Sequence, residues 1–282
     1  MDTPSHGHRQ GPPPAAAAED EVPPVVVESV DRVGVVRLDR PGKLNALDGR
    51  TIGALRAAIA RCAADDQVGA VLIEGAGRSF CAGGDQGAGA QPPRGPYGWY
   101  TYIAAEANAL VRELVAVPKP VVAAVQGHAY GAGMCLALTA DLVVAADDAR
   151  FCMPYLKIAN KPDFGASYLL PRRVASLSVA KDLIYTSRVV EAPEALRLGL
   201  ANRLEPPDGM RAAALGLAAD LAAGPAQAMA LSKAILDRSL DSDLDTVLAM
   251  EAMAHGIVKV SRDHAEGVAA FFGKRPPTFT GE

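Results

Sequence analysis

Hydrophobic and polar positions in the first 125 residues alternate between short apolar runs and stretches with helical spacing. The β-branched runs Val25–Val30 and Val33–Leu38 are separated by two polar residues, which predicts a β-hairpin. Apolar residues then recur at helical intervals after Asp48. Two further apolar runs, Ala70–Glu74 and Val121–Val125, predict buried strands. The pattern therefore indicates a sheet whose strands are joined by helices.

The rest of the pattern is mainly helical, with short strands between the helices. We expect strands at Leu142–Ala146, Arg150–Met153 and Ala201–Leu204. We expect helices at Tyr100–Val117, Ala132–Ala140, Ala166–Val174, Ser178–Thr186, Pro193–Leu198, Met210–Ala223, Ala226–Leu240 and Leu244–Val260. Repeated strand and helix units of this kind predict a stacked α/β core followed by a helical C-terminal region.

Composition divides the chain into three parts. Residues 1–24 are rich in Pro, Ala and Gly and show no periodicity, so we expect a disordered leader there. Residues 25–204 form the expected core, and residues 205–282 form the helical C-terminal region. Residues 86–98 are rich in Gly and Pro, which predicts a flexible loop inside the core. The folded part is therefore expected to begin at residue 25.

Charge and cysteine content exclude several classes of partner. The 282 residues are 50% hydrophobic with a net charge of −4, so we expect no basic surface for nucleic acid or anionic lipid. The longest apolar run, Ala129–Ala140, is too short to span a bilayer. The four cysteines lack the paired spacing of a metal site, and a chain of this length needs no disulfide. These features are typical of a cytoplasmic protein without a bound metal.

Two glycine-bearing turns are the strongest chemical signal. An apolar strand leads into Gly131-Ala132-Gly133 and then into a helix, whose first backbone N–H groups lack helical partners. The third glycine of a dinucleotide-binding motif would fall at Leu136, which excludes that motif. A second strand runs into the glycine-rich residues 75–85. Glycines open many ordinary turns, but two such turns can also direct two N–H donors at one oxygen, as an oxyanion hole requires.

Four motifs follow one another along the chain. They are Arg40–Leu47 (RPGKLNAL), Ser79–Asp85 (SFCAGGD), Lys119–Gly133 (KPVVAAVQGHAYGAG) and Glu266–Arg275 (EGVAAFFGKR). With these motifs in this order, the sequence resembles the crotonase, or enoyl-CoA hydratase/isomerase, superfamily over most of its length. The resemblance implies a crotonase-like superhelical ββα spiral and a homotrimer or hexamer. It also implies an acyl-CoA thioester as substrate, so that coenzyme A enters with the substrate and no cofactor is permanently bound.

The resemblance assigns the coenzyme A site to residues in the first third of the chain and to one near its C-terminus. It places the adenine end of coenzyme A at Ala82, Gly83 and Asp85, and it adds Lys43. Lys274 matches a basic position that meets coenzyme A phosphates in some family members, often from a neighbouring subunit. An ordinary surface lysine is the alternative for Lys274, and a structural loop anchor is the alternative for Asp85.

The resemblance also identifies the reacting end of the site. It assigns the N–H groups of Gly84 and Ala132 as the oxyanion-hole donors. Hydratases of the family use two glutamates to position and deprotonate water, and this chain has Cys135 and Tyr155 at those positions. A thiol or a phenol is a poor general base near neutral pH, so ordinary hydration is disfavoured. Cys135 is alternatively a small buried helix residue, and Tyr155 a hydrogen-bond donor or part of the acyl pocket.

One carboxylate remains as a candidate catalytic group. Asp163 falls on a position that carries an aspartate in dienoyl-CoA isomerases and in the aryl-CoA dehalogenase. It could act as a base or as a nucleophile, or it could be the N-cap of the following helix. We expect double-bond isomerisation or a related proton transfer with Asp163 as base. The alternatives are a dehalogenase-like hydrolase with Asp163 as nucleophile and a non-catalytic acyl-CoA-binding protein.

Overall fold

The computed structural model describes residues 22–87 and 95–282. Most of the expected leader, residues 1–24, therefore lies outside the described residues, and so do residues 88–94 of the expected flexible loop. The end of that expected loop is wrong, because a helix already begins at Gly95. The division at residue 204 into core and C-terminal region stays a prediction.

The described residues form nine strands and eleven α-helices. The strands are β1 Val25–Val30, β2 Val33–Leu38, β3 Ala70–Gly75, β4 Val121–Val125, β5 His128–Tyr130, β6 Leu142–Ala146, β7 Arg150–Cys152, β8 Val190–Glu191 and β9 Arg203–Glu205. The helices are α1 Gly49–Ala64, α2 Gly95–Tyr102, α3 Asn108–Val115, α4 Ala132–Thr139, α5 Ala166–Arg173, α6 Leu177–Thr186, α7 Ala192–Leu198, α8 Pro207–Ala222, α9 Ala226–Ser239, α10 Leu244–Lys259 and α11 Arg262–Gly273.

Most expected elements are confirmed, with differences at short or irregular segments. The long helix expected at Tyr100–Val117 is divided, because a π-helical turn at Ile103–Ala107 separates α2 from α3. The last expected strand is shifted and covers Arg203–Glu205. Strands β5 and β8 and helix α11 were not expected, and the two strands are too short to show a period.

The main sheet has six strands in the order β1-β2-β3-β4-β6-β9. The predicted β1–β2 hairpin is antiparallel, and the other neighbours pair in parallel. A second sheet has the order β5-β7-β8. Because β3 and β4 are parallel neighbours, the chain leaves both at the same edge of the sheet. The two glycine turns follow these two strands, so the sheet itself brings them to one place.

Both faces of the main sheet are covered, which explains the unbroken apolar runs of β3 and β4. On one face, residues such as Leu72 and Ala124 pack against Ala214 and Ala218 of α8. On the other face, a larger cluster joins the sheet to α1, α3, α4 and α5. Parallel strands buried on both sides lose the polar and apolar alternation of half-exposed strands. The sequence pattern and the packing therefore agree.

The C-terminal helices differ from the core in their packing. Helices α9 and α10 contribute no buried residue, although they carry many large apolar side chains. Those more than half exposed on α9, on α10 and just beyond their ends are Leu236, Leu240, Leu244, Met253, Ile257 and Val260. So many exposed apolar side chains on two helices that contact each other are unusual on a monomeric protein.

Within the described residues, no single helix has the length and apolar composition needed to cross a membrane. Helices α8 and α9 meet that test only when they are taken together, as a pair bent by 106°.

Asn45 holds the chain before α1 against the first glycine turn. Its side chain is 1% exposed and accepts a hydrogen bond from the N–H of Arg40 at 2.9 Å. The same amide donates to the carbonyl oxygens of Ala76 and Ser79, at 2.9 and 2.8 Å. Asn45 also has a φ of +57°, which Asn tolerates better than most residues. Three backbone groups therefore depend on one buried side chain.

We predict that Asn45→Ala lowers the free energy of unfolding by roughly 2–4 kcal/mol, because it leaves buried backbone groups without partners. Urea denaturation measures this loss. Asn202→Ala is the matched control, since the side chain of the exposed Asn202 accepts one bond, from the N–H of Val143. An equal loss in both variants would contradict the role given to Asn45.

Candidate active site

The first glycine turn pairs with the segment that leads to the second one. The N–H of Cys81 donates to the carbonyl of His128 at 2.9 Å, and the N–H of Tyr130 donates to the carbonyl of Cys81 at 3.0 Å. The N–H of Phe80 donates to the carbonyl of Gln126 at 2.8 Å. Segments 79–84 and 126–132 therefore run side by side in the same direction. Each carries one of the expected N–H donors near its end.

Close approach of the two segments depends on glycine. A Cβ on Gly133, in the first turn of α4, would lie 2.2 Å from the carbonyl oxygen of Cys81. Gly131, immediately before α4, has φ +51° and ψ −119°, a conformation that L side chains rarely adopt. The glycines therefore allow the N-terminus of α4 to lie directly against the first turn.

Two backbone amides at this junction, those of Gly84 and Ala132, have no acceptor within the described part of the chain. Leu47 bonds to the carbonyl of Gly83 and the N–H of Asp85, both at 2.8 Å. This parallel pairing directs the N–H of Gly84 away from Leu47. A Cβ built on Gly83 would lie 3.7 Å from the nitrogen of Ala132. The structure therefore brings the two segments that carry the expected donors close together.

Cys135 and Tyr155, which the resemblance matches to the glutamate positions of hydratases, are also adjacent. The Sγ atom of Cys135 lies 3.6 Å from the hydroxyl oxygen of Tyr155, and both side chains are buried. Burial raises the pKa of the Cys135 thiol to about 12. Burial also raises the pKa of Tyr155, with smaller contributions from Cys135 and Asp163. Both groups are therefore uncharged near neutral pH, and neither can deprotonate water there.

Asp163 lies beside this pair. Its carbonyl oxygen is 3.4 Å from the Tyr155 hydroxyl and 3.7 Å from the Sγ of Cys135. Burial raises the pKa of the Asp163 carboxyl, while Lys161 and a hydrogen bond with Tyr155 partly oppose that change. A carboxyl whose pKa is raised holds a proton at higher pH, as a group that takes up and returns protons requires.

The helix N-cap alternative for Asp163 is wrong. The residue before α5 is Gly165, and no side chain caps this helix. The N–H of Ala166 bonds to the backbone carbonyl of Asp163 at 3.0 Å, so the carboxylate is not used in capping. Phe164 and Gly165 have φ values of +53° and +77°. A buried Phe in the left-handed region is strained, which is common beside functional groups.

The expected coenzyme A residues lie in different surroundings. Lys43 and Lys274 are exposed. The Asp85 carboxylate forms an ion pair with Arg40 at 3.1 Å and accepts a bond from the N–H of Gly87 at 2.9 Å. The structure therefore supports the loop-anchor alternative for Asp85. Arg40 was not expected to contribute to the site, although it opens the first of the four motifs.

No group of three or more His, Cys, Asp or Glu side chains among residues 22–87 and 95–282 is placed to hold a metal ion. The four cysteines are free and buried.

Comparisons with known proteins agree with the fold and the motif order. Residues 28–282 match the family model described as enoyl-CoA hydratase/isomerase. A probable enoyl-CoA hydratase of Rhodobacter capsulatus is 37% identical over 254 residues, which cover 90% of this chain and 96% of that protein. The 1,2-epoxyphenylacetyl-CoA isomerase of Escherichia coli is 36% identical over 251 residues, covering 89% of this chain and 95% of the isomerase.

Solved structures show the same fold. A putative enoyl-CoA hydratase from Streptomyces coelicolor has a TM-score of 0.87 and 37% sequence identity, covering 97% of this chain and all of that one. A putative enoyl-CoA hydratase/isomerase from Mycobacterium abscessus also has a TM-score of 0.87, with 32% identity over 92% of this chain and all of that one. The expected crotonase-like fold is confirmed by these likenesses.

We predict that Asp163→Asn stabilises the fold near neutral pH. Because the folded-state pKa of Asp163 is raised, ionisation opposes folding above that pKa, and this cost disappears below the unfolded pKa near 4. Urea midpoints at about pH 7.5 and about pH 4.5 should show an advantage of the variant that shrinks at the lower pH.

Asp85→Asn is the matched control, and it should be destabilising near neutral pH because it breaks the ion pair with Arg40. A destabilised Asp163→Asn protein near neutral pH would contradict the environment assigned to Asp163.

Proposed function

The chain belongs to the enoyl-CoA hydratase/isomerase family, whose members act on acyl-CoA, and we propose that it moves a proton between carbons of an unsaturated acyl-CoA thioester. The N–H groups of Gly84 and Ala132 would hold the thioester oxygen, and Asp163 would carry the proton. The isomerase from Escherichia coli, at 36% identity, supports isomerisation as a reaction of near relatives.

The proposed reaction passes through an enolate, whose negative charge lies on the thioester oxygen. The carboxylate of Asp163 removes a proton from a carbon next to the carbonyl or conjugated with it. The electrons of the broken C–H bond move onto the carbonyl oxygen, forming an enolate. Two fixed N–H donors stabilise this oxygen, and each such donor is worth roughly 3 kcal/mol. Return of the proton to a different carbon restores the thioester with its double bond moved.

The observation that carries the proposal is the difference in ionisation between Asp163 and its two neighbours, Cys135 and Tyr155. Cys135 and Tyr155 stay uncharged near neutral pH, whereas Asp163 is a carboxyl whose pKa is raised by burial. Hydration needs groups that orient and deprotonate water, and one carboxyl suits a proton transfer within the substrate better. Isomerisation therefore fits these three side chains better than hydration does.

Coenzyme A would enter as part of the substrate, and we propose no permanently bound cofactor. Ala82 and Gly83, next to the Gly84 donor, would meet the adenine end, and Lys274 would meet its phosphates. Lys43 would be a further coenzyme A contact. Asp85 would contribute indirectly, by holding the turn through Arg40. A cytoplasmic location also stays a proposal, and four buried free thiols are compatible with a reducing compartment.

We propose that copies of the chain associate through the C-terminal helices, as a homotrimer or hexamer. The exposed apolar side chains of α9 and α10 support this, because association would remove them from water. Leu244 is 71% exposed and lies at the start of α10.

We predict that the protein exchanges solvent deuterium into the α or γ carbon of unsaturated acyl-CoA thioesters, and that Asp163→Asn slows this by about 10²–10⁴-fold without loss of binding. Mass spectrometry of recovered substrate measures the exchange, and calorimetry measures binding. Asp147→Asn, which changes an exposed turn residue, should keep the parent rate.

Either of two results would contradict this proposal and support one of the alternative functions. Transfer of solvent ¹⁸O into the Asp163 carboxyl during turnover would support the nucleophilic hydrolase. Unchanged binding by Asp163→Asn, with no turnover by the parent protein on a broad panel of unsaturated acyl-CoA thioesters, would support the non-catalytic binding protein.

We predict that the mass in solution, measured by light scattering, is a multiple of the chain mass of 29.2 kDa. Leu244→Glu should shift the mass toward the monomer, because it places a charge on the apolar surface. Glu251→Gln on the same helix is the control and should leave the mass unchanged. A monomeric parent protein at all concentrations would contradict self-association.

A further inference from the structure

Ser79 and His128 form a side-chain pair that the proposed mechanism does not use. The Oγ atom of Ser79 lies 3.0 Å from Nδ1 of His128. Ser79 is 1% exposed, and His128 is half-buried with its ring edge-on to Tyr130 at 4.9 Å between centroids. The bond therefore joins two residues from different parts of the chain at normal hydrogen-bond length.

The pair occupies a particular place in the two segments that carry the expected donors. Ser79 precedes Gly84 by five residues, and His128 precedes Ala132 by four. Between these points the backbone bonds of Cys81 hold the segments together, at 2.9 and 3.0 Å. The Ser79–His128 bond is the side-chain link at the start of this ladder. This bond therefore affects the alignment of the two segments, and with it the relative positions of the Gly84 and Ala132 N–H groups.

A serine bonded to a histidine is also typical of a catalytic nucleophile, but the burial of Ser79 argues against that role. An acyl group cannot reach an Oγ atom whose residue is 1% exposed. The acids on nearby strands and turns are also engaged elsewhere. Asp148 lies 3.5 Å from the N–H of Gly127, and Glu191 is paired with Arg150, the register partner of His128. No carboxylate in the described residues is bonded to the imidazole in the manner of a catalytic triad.

We propose that Ser79 and His128 are positioning residues that set the spacing between the Gly84 and Ala132 amides. The inference rests on the proposed function, because it concerns the oxyanion site of that mechanism. Backbone donors stabilise an enolate only when both lie within about 2.7–3.1 Å of the developing oxygen anion. The side-chain bond restricts sliding of one segment past the other, since any slide would break it.

The matched variants separate the bond from the packing around it. Ser79→Ala removes only the hydroxyl. His128→Leu replaces the imidazole by an apolar side chain of similar size that cannot form the bond. His128→Asn retains a polar δ1 atom near the position of Nδ1 and can keep the bond. The double variant Ser79→Ala/His128→Leu tests whether both residues act through the same interaction.

The first measurement is steady-state turnover of an unsaturated acyl-CoA well below the melting temperature. We expect kcat to fall about tenfold in Ser79→Ala and in His128→Leu with KM nearly unchanged, less than loss of a whole donor would cost. His128→Asn should recover most of the rate, and the double variant should be no slower than the slower single variant. Additive losses, or an unchanged kcat accompanied by a lower melting temperature, would overturn the inference.

The second measurement reads the site without turnover. Infrared spectra of a bound ¹³C-carbonyl acyl-CoA report polarisation of the carbonyl by its donors. We expect a shift to lower frequency in the parent protein, and a smaller shift in Ser79→Ala and His128→Leu. Equal shifts in parent and variants would overturn the positioning role. Absence of any shift in the parent protein would instead overturn the proposed oxyanion site, so the two failures are distinguishable.

Discussion

Backbone pairing between segments 79–84 and 126–132 is the constraint on which the candidate site depends. The parallel strands β3 and β4 deliver both segments to one edge of the main sheet, and the bonds of Cys81 align them. Gly131 and Gly133 allow α4 to begin against this ladder without a steric clash. Two amides that helix and sheet geometry leave unpaired, those of Gly84 and Ala132, then lie on neighbouring segments. Donors fixed in this way need no reorganisation when charge develops on a bound oxygen.

The chemistry proposed for the site follows from the dielectric environment as much as from residue identity. The same burial keeps the thiol of Cys135 and the phenol of Tyr155 neutral and raises the pKa of the Asp163 carboxyl. Burial of a carboxylate and a left-handed Phe164 both cost stability. The core around the sheet and the buried Asn45 network stabilise the fold against these costs. A stability cost at a reactive group is expected where function selects its position.

The family relationship identifies the fold, but it does not determine which reaction the chain catalyses. Relatives with similar identity include proteins named as hydratases and one named as an isomerase. The difference between such reactions lies in a few side chains around a shared backbone arrangement. Cys135 and Tyr155, which the resemblance matches to the two glutamate positions of hydratases, form a neutral pair in this chain, and Asp163 lies beside that pair. This local change is the basis for favouring proton transfer within the substrate.

The sequence alone determined the class of fold, the strands of the main sheet and most helices, because hydrophobic periodicity records which residues are buried. It also identified the two glycine-bearing turns, since the spacing of glycines within a turn is a local property of the sequence. Tertiary structure decided what needs contacts between distant segments. It showed that Asp163 does not cap a helix through its side chain, that Asp85 is held by Arg40, and that Ser79 meets His128. No pattern within a short window encodes such contacts, because they arise only when β3 and β4 pair in parallel and bring residues about 50 positions apart into one site.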